Sequence, residues 1–148
     1  MRNVRICFDM DGTIANLYAV CGWLEYLKAE NEIPYQIAKV MTNMQALSRM
    51  LNNLQRKGFE IGIISWLSKN GSDEYNEKVT AAKKEWLNKH LHSVKFDFIE
   101  IVKYGTDKNI VRKSENDILF DDEERNRNNW GGKAYDVNDI LEVLKGLK

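Results

Sequence analysis

Two carboxylates stand two residues apart in Phe8-Asp9-Met10-Asp11-Gly12-Thr13, directly after the apolar run Val4-Arg5-Ile6-Cys7-Phe8. Along an extended strand, side chains at i and i+2 share a face, so Asp9 and Asp11 project together where the strand ends. Gly12 lets the chain turn there and approach a ligand with no Cβ in the way. Neighbouring carboxylates repel unless a cation lies between them or one is protonated. A hard divalent cation with oxygen ligands, such as Mg²⁺, suits the pair.

Two further apolar runs end in the same manner. Glu60-Ile61-Gly62-Ile63-Ile64 leads into Ser65, and Asp117-Ile118-Leu119-Phe120 leads into Asp121-Asp122. Short Ile- and Val-rich runs separated by helical stretches predict a buried parallel sheet of strand-helix-strand units. Ligands of such sheets bind beyond the carboxyl ends of the strands. Asp9, Asp11, Ser65, Asp121 and Asp122 are therefore expected to converge on one site.

The intervening pattern supplies the other elements. Residues 17–30 read as a helix with Leu17, Val20, Cys21, Leu24 and Leu27 on one face, and residues 31–35, around Pro34, as a loop. Helical spacing of Val40, Met44, Leu47, Leu51 and Leu54 predicts one long helix up to Lys57, stopped by Gly58. Strands are expected at 59–64, 96–102, 117–120 and 133–135. Helices are expected at about 76–91, briefly up to Val111 after an N-cap at Thr106 or Asp107, and at 137–147. Residues 67–74 read as a loop, Arg125, Asn126 and Arg127 equally as substrate contacts or as part of a polar loop, and Trp130-Gly131-Gly132 as a turn.

The Asp-x-Asp-Gly-Thr phrase, the run closed by Ser65, a downstream lysine and the late Asp121-Asp122 pair, in that order, resemble the haloacid dehalogenase-like (HAD) hydrolases. These motifs span Asp9 to Asp122, most of the chain. Within that superfamily, Asp9-Met10-Asp11-Gly12-Thr13-Ile14-Ala15-Asn16 and Ile118-Leu119-Phe120-Asp121-Asp122 are similar to the 5′(3′)-deoxyribonucleotidase-like branch. The resemblance implies an α/β, three-layer Rossmann-like HAD fold. It would be a single domain over residues 1–148, with a central, mostly parallel five-stranded sheet and a small helical cap inserted at about 16–40.

The resemblance also implies roles. Asp9 would be the nucleophile, forming an aspartyl-phosphate, and Asp11 the general acid and then base. Mg²⁺ would be held by Asp9, by Asp11 through its backbone carbonyl, and by Asp121, with Asp122 joining directly or through water. Thr13, Ser65 and a lysine would bind the phosphate. Lys108 fits the lysine position best, with Lys103 and Lys84 as alternatives. Trp66 and Asn126 are candidate substrate contacts, whereas Trp23, Trp86 and Trp130 are expected in the core or at an interface.

Bulk properties narrow the function classes. A chain of 148 residues suits one domain with one core. With 22 basic and 22 acidic residues, no net field draws it to nucleic acid or to an anionic membrane. No apolar stretch is long enough to span a bilayer, and Met1-Arg2-Asn3 leads into the first strand without a signal-peptide core. Cys7 and Cys21 make neither a disulfide framework nor a zinc spacing, which suggests a cytoplasmic location.

The resemblance implies a Mg²⁺-dependent phosphatase acting on a small phosphate monoester, with a nucleoside 5′-monophosphate preferred. No stable nucleic-acid partner is expected, and the aromatic content leaves room for a dimer. One alternative is a phosphatase of nucleic-acid termini or another macromolecule, which would need a basic groove. Another is a non-catalytic phospho-acceptor or binding domain of the response-regulator type. In those receivers the acidic residues all precede the Ser/Thr and the Lys, whereas here an Asp pair comes last.

Overall fold

In a computed structural model describing residues 3–148, a five-stranded sheet forms the centre of the protein, in the order β5-β4-β1-β6-β7. The strands are β1 (Arg5–Phe8), β4 (Glu60–Trp66), β5 (Phe98–Val102), β6 (Ile118–Phe120) and β7 (Lys133–Tyr135). All four pairings are parallel, as the buried apolar runs require. β1 lies in the middle, with Cys7 in register with Gly62 on one side and Leu119 on the other.

Alternation along each strand builds three layers. Ile6, Phe8, Ile61, Ile63, Ile118 and Phe120 face one side. There they pack on α3 (Met44–Arg56), α4 (Asp73–His90) and α6 (Ile140–Lys145). Cys7, Ile64 and Leu119 face the other side. They meet the 3-10 turn Lys108–Val111 and Trp130, the last residue of α5 (Glu124–Trp130). Successive connections run outward from β1 through β4 to β5 and then return to β6 and β7. That reversal opens a crevice beside the end of β1, where open α/β sheets bind ligands.

Residues 15–40 depart from the predicted pattern. The expected helix over 17–30 divides into a 3-10 turn at Leu17–Ala19 and α1 (Trp23–Lys28). Gly22 between them takes a left-handed φ of +75°, which ends one turn and starts another direction. Pro34, expected in a loop, sits in the first turn of α2 (Ile33–Ile37), where its missing N–H costs nothing. Val40 does not belong to the long helix. Lys39–Val40 is strand β3, paired antiparallel with β2 (Ala15–Asn16), and the helix begins only at Met44. Asn43 supplies the reason, its side chain accepting from the Ala46 N–H at 3.0 Å as an N-cap. The β2–β3 ribbon thus ties the base of a helical insertion to the sheet.

Three smaller differences matter for the site. β4 runs through Trp66 rather than stopping at Ile64, so Ser65 and Trp66 are strand residues. Helix α4 starts at Asp73, three residues early, because Ser72 caps it. Arg125, Asn126 and Arg127, for which a polar loop is one reading, lie in helix α5, which stops at the left-handed Gly131. Among the described residues, no helix is long and apolar enough to cross a membrane.

Candidate active site

The loop after β1 is closed tightly on itself. The N–H groups of Thr13, Ile14 and Ala15 all point at the Met10 carbonyl (3.0, 3.0 and 2.9 Å), and the Gly12 N–H donates to the Ala15 carbonyl at 2.8 Å. Gly12 has φ +82°, and a Cβ there would lie 2.5 Å from Asp122 Oδ2. Glycine therefore serves both the turn and the space that Asp122 occupies. The result sets Asp9 and Asp11 beside Asp121 and Asp122 from the end of β6.

Asp9 is held from two sides. Lys108 Nζ donates to Asp9 Oδ1 at 2.7 Å and to Asp121 Oδ2 at 2.8 Å, and is itself buried. The Thr13 hydroxyl lies 2.9 Å from Asp9 Oδ2 and 3.2 Å from Asp122 Oδ1, and accepts from the Asp122 N–H at 3.1 Å. Thr13, expected on the phosphate, is fully buried with its hydroxyl engaged by these carboxylates. Asp121 also accepts from the Glu123 N–H (2.9 Å) and from Asn126 Nδ2 (3.1 Å). Asn126 thereby braces a carboxylate as well as bordering the cleft. Arg127 donates to the Asp121 carbonyl, and Arg125 is exposed.

Asp11 has a separate cation. Lys83 Nζ donates to Asp11 Oδ2 at 3.0 Å, to Ser65 Oγ at 2.7 Å and to the Trp66 carbonyl at 2.6 Å. Ser65 is fully buried beneath the cleft. Lys103 and Lys84 are exposed, so of the three lysines weighed from the sequence only Lys108 joins the carboxylates. Lys83 was missed. Its signal was present: the buried positions of α4 are Tyr75, Val79, Ala82, Lys83, Trp86 and Leu87, a helical stripe with one charged member. A lysine inside an apolar stripe is a buried charge, and buried charges are paired.

The electrostatics of the cluster favour a cation. Asp9, Asp121 and Asp122 each offer a carboxylate oxygen, all within 4.8 Å of one another. Burial, and then the charge of Asp9, push the Asp122 carboxyl up to about 8 and the Asp121 carboxyl up to about 6, the latter against the pull of Lys108. Burial also raises Asp11, with Lys83 opposing and Asp9 adding to the rise. For Lys108, burial works against the charged form, but Asp9 and Asp121 overcome it and raise its pKa. With every carboxyl ionised, the four would outnumber the two buried ammonium groups by two charges. An oxygen-only donor set with that deficit fits one Mg²⁺. Asp11 Oδ2 is engaged by Lys83, and the carboxylates grouped within 4.8 Å of one another are those of Asp9, Asp121 and Asp122.

Above this floor is a cleft of about 480 Å³. Its floor includes Asp9, Asp11, Lys108, Asp121 and Asp122, and its walls combine aromatic side chains with leucines and polar residues such as Ser68, Lys69 and Asn70. On the insertion side Tyr18 and Trp23 pack edge to face, ring centroids 5.0 Å apart. Trp23 therefore lines the cleft instead of the core, whereas Trp86 and Trp130 are core residues. On the sheet side Trp66 packs on Tyr104 at 4.9 Å and donates from Nε1 to the Thr106 carbonyl at 2.8 Å.

No family model matches the sequence, and no curated protein matches it. Among solved structures it is similar to a D,D-heptose 1,7-bisphosphate phosphatase from Burkholderia thailandensis, with a TM-score of 0.59 at 11% identity. The alignment covers 98% of this chain and 100% of that one. At that identity the likeness establishes the fold: a Rossmann-like α/β architecture of the kind seen in that phosphatase, with a five-stranded parallel sheet.

Proposed function

We propose that this protein is a Mg²⁺-dependent phosphatase of the HAD type that hydrolyses a phosphate monoester, preferably a nucleoside 5′-monophosphate. The carrying observation is that Asp9, Asp11, Lys108, Asp121 and Asp122 come from three separate elements to one cleft floor. The fold shared with a D,D-heptose 1,7-bisphosphate phosphatase supports the phosphatase part of this reading, and the nucleotide preference rests on the sequence resemblance.

The residues divide the reaction between them. Asp9 attacks phosphorus, forming a carboxyl–phosphate bond as the bond to the leaving oxygen breaks. Asp11 gives that oxygen a proton, and its raised pKa favours the protonated form this step needs. Water then attacks the same phosphorus, Asp11 accepts the proton, and Asp9 is released with inorganic phosphate. Lys108 holds Asp9 in place and offsets charge on the attacked group. Mg²⁺, held by Asp9, Asp121, Asp122 and the Asp11 carbonyl, would supply further charge neutralisation. Thr13 and Ser65 support the loop and strand end that face the phosphate.

The cleft walls accommodate a flat leaving group. Trp66 and Tyr104 on one side, and Tyr18 and Trp23 on the other, offer ring faces on which a base could stack, while Ser68, Lys69 and Asn70 at the same cleft offer polar partners. Residues 16–39 act as a small cap that narrows the cleft to a mononucleotide. The free thiols Cys7 and Cys21 are in keeping with a cytoplasmic location.

Phosphate release from nucleoside monophosphates, sugar phosphates and a phosphorylated oligonucleotide, with and without Mg²⁺, tests the proposal. Mononucleotides should be turned over fastest, and only with the metal. Asp9→Asn should abolish release; a variant as active as its parent would remove the nucleophile assignment.

A further inference from the structure

We propose that Lys83 is a positioning residue for the proton-transfer step, a role assigned neither by the sequence motifs nor by the shared fold. The inference rests on the phosphatase reading above. Two lysines are buried among the described residues, and each serves one carboxylate of the Asp9/Asp11 pair. Lys108 takes the nucleophile, while Lys83 takes the proton donor.

The geometry of Lys83 leaves it no other task. An ammonium has three donor hydrogens, and Nζ has three oxygen partners: Asp11 Oδ2, Ser65 Oγ and the Trp66 carbonyl, at 3.0, 2.7 and 2.6 Å. The side chain is 1% exposed and does not border the cleft, so it meets no substrate. The Tyr35 ring from the insertion lies 5.2 Å from Nζ and covers it from that direction. Lys83 therefore acts through Asp11. Fixing Oδ2 fixes the plane of the carboxyl group and leaves Oδ1 as the oxygen that exchanges a proton with the leaving group. Ser65 and Trp66 both belong to β4, so the same ammonium sets Asp11 in register with the strand end beside the phosphate. A proton donor misplaced by even an ångström loses much of its effect.

Leaving-group dependence separates this role from a merely structural one. Phenyl phosphate and p-nitrophenyl phosphate have nearly the same shape, yet phenolate, whose conjugate acid has a pKa of about 10 like tyrosine's, needs protonation far more than p-nitrophenolate. kcat/KM reports the step in which Asp9 displaces the leaving group, so it is measured for both esters. The proteins compared are the unaltered chain, Lys83→Met, Asp11→Asn and the double variant, each checked for a cooperative melt.

Lys83→Met should lower kcat/KM on phenyl phosphate by about 100-fold and leave p-nitrophenyl phosphate within a few-fold. The double variant should be no worse on phenyl phosphate than Asp11→Asn alone. Equal losses on the two esters, no loss on either, or a further loss in the double variant would each overturn the assignment. Should Lys83→Met fail to fold, Lys83→Gln, which keeps two neutral donors, is run on the same pair with the same expected and overturning results. Absence of phosphate release by the unaltered chain from either ester or from any mononucleotide would instead defeat the phosphatase reading, and this proposal with it.

Discussion

Strand β6 has a buried aspartate before its first residue and another after its last, and their surroundings differ in kind. At the entry, Asp117 accepts from the N–H groups of Arg5 (2.9 Å), Lys113 (2.7 Å) and Ser114 (3.0 Å), and from the Ser114 hydroxyl (3.1 Å). Its charge is met by fixed neutral dipoles that hold three chain segments together. At the exit, Asp121 and Asp122 crowd against Asp9, and the single ammonium of Lys108 is divided between Asp9 and Asp121. Burial of a carboxylate thus says nothing by itself about function. A carboxylate whose lone pairs are filled by backbone donors is a structural joint; a group of carboxylates short of cations is a receptor for one.

Exchanging a carboxylate for its amide at each end tests that distinction most strongly. Asp9→Asn should lower phosphate release by roughly 10⁴-fold or more, as removal of an activated nucleophile does, and the protein should still melt cooperatively. Asp117→Asn should do the reverse. The new amide NH₂ would face N–H donors, a mismatch of about 2–3 kcal/mol, or roughly 5–10 °C in Tm for a chain of this size. Its kcat/KM should match the parent's. An inactive but fully stable Asp117→Asn would show that the two edges are not separated as described.

The pH dependence of the metal-free protein sharpens the contrast. Asp122 binds its proton more tightly in the folded chain, at about 8, than the ordinary value of 3.8, and Asp121 shifts the same way to about 6. Between those limits the folded state holds protons that the unfolded chain has released. Stability from this source is therefore present below about 4 and declines as pH rises toward 8. The effect is moderate because Asp122 is only partly buried and solvent screens it. In chelator, Tm should fall across pH 4–8; Mg²⁺ or Asp122→Asn should flatten the slope, and Asp117→Asn should leave it unchanged.

Much of this was legible in the residues. Asp9, Asp11, Asp121 and Asp122 are strand-end residues because apolar runs precede them, and a parallel sheet brings such ends together whatever their separation in sequence. What escaped was local chain geometry. The insertion was read as two long helices since Val40 continues the spacing of Met44 and Leu47, but Val40 instead pairs with Ala15 across the β2–β3 ribbon. Periodicity cannot register a partner that lies 25 residues upstream. Lys83 escaped for the opposite reason: the stripe that buries it was visible, but lysine is assigned to solvent by default, and its exposed neighbour Lys84 was weighed instead. Trp23 was expected in the core or at an interface because large aromatics usually go there, while here it lines the cleft.

The smallest test deletes one hydroxyl at each end of β6. Ser114 Oγ donates to Asp117 Oδ1 at 3.1 Å, and Thr13 Oγ1 donates toward Asp9 Oδ2 at 2.9 Å. Each of these bonds is worth about 1–1.5 kcal/mol, but the buried Thr13 hydroxyl also accepts from the Asp122 N–H at 3.1 Å, so its deletion strands a second buried group. Ser114→Ala should lower Tm by about 2–4 °C and leave the kinetics alone. Thr13→Val keeps the shape of the buried side chain but frees Asp9 to turn away from its attacking position. A bond of that strength is worth about tenfold in rate, so kcat/KM should fall by about that factor, with Tm lowered by a few degrees as well because the Asp122 N–H loses its acceptor. If both variants lost only stability, the hydroxyl of Thr13 would belong with the structural joints, and the boundary between the two ends of the strand would have to be drawn closer to Asp9 itself.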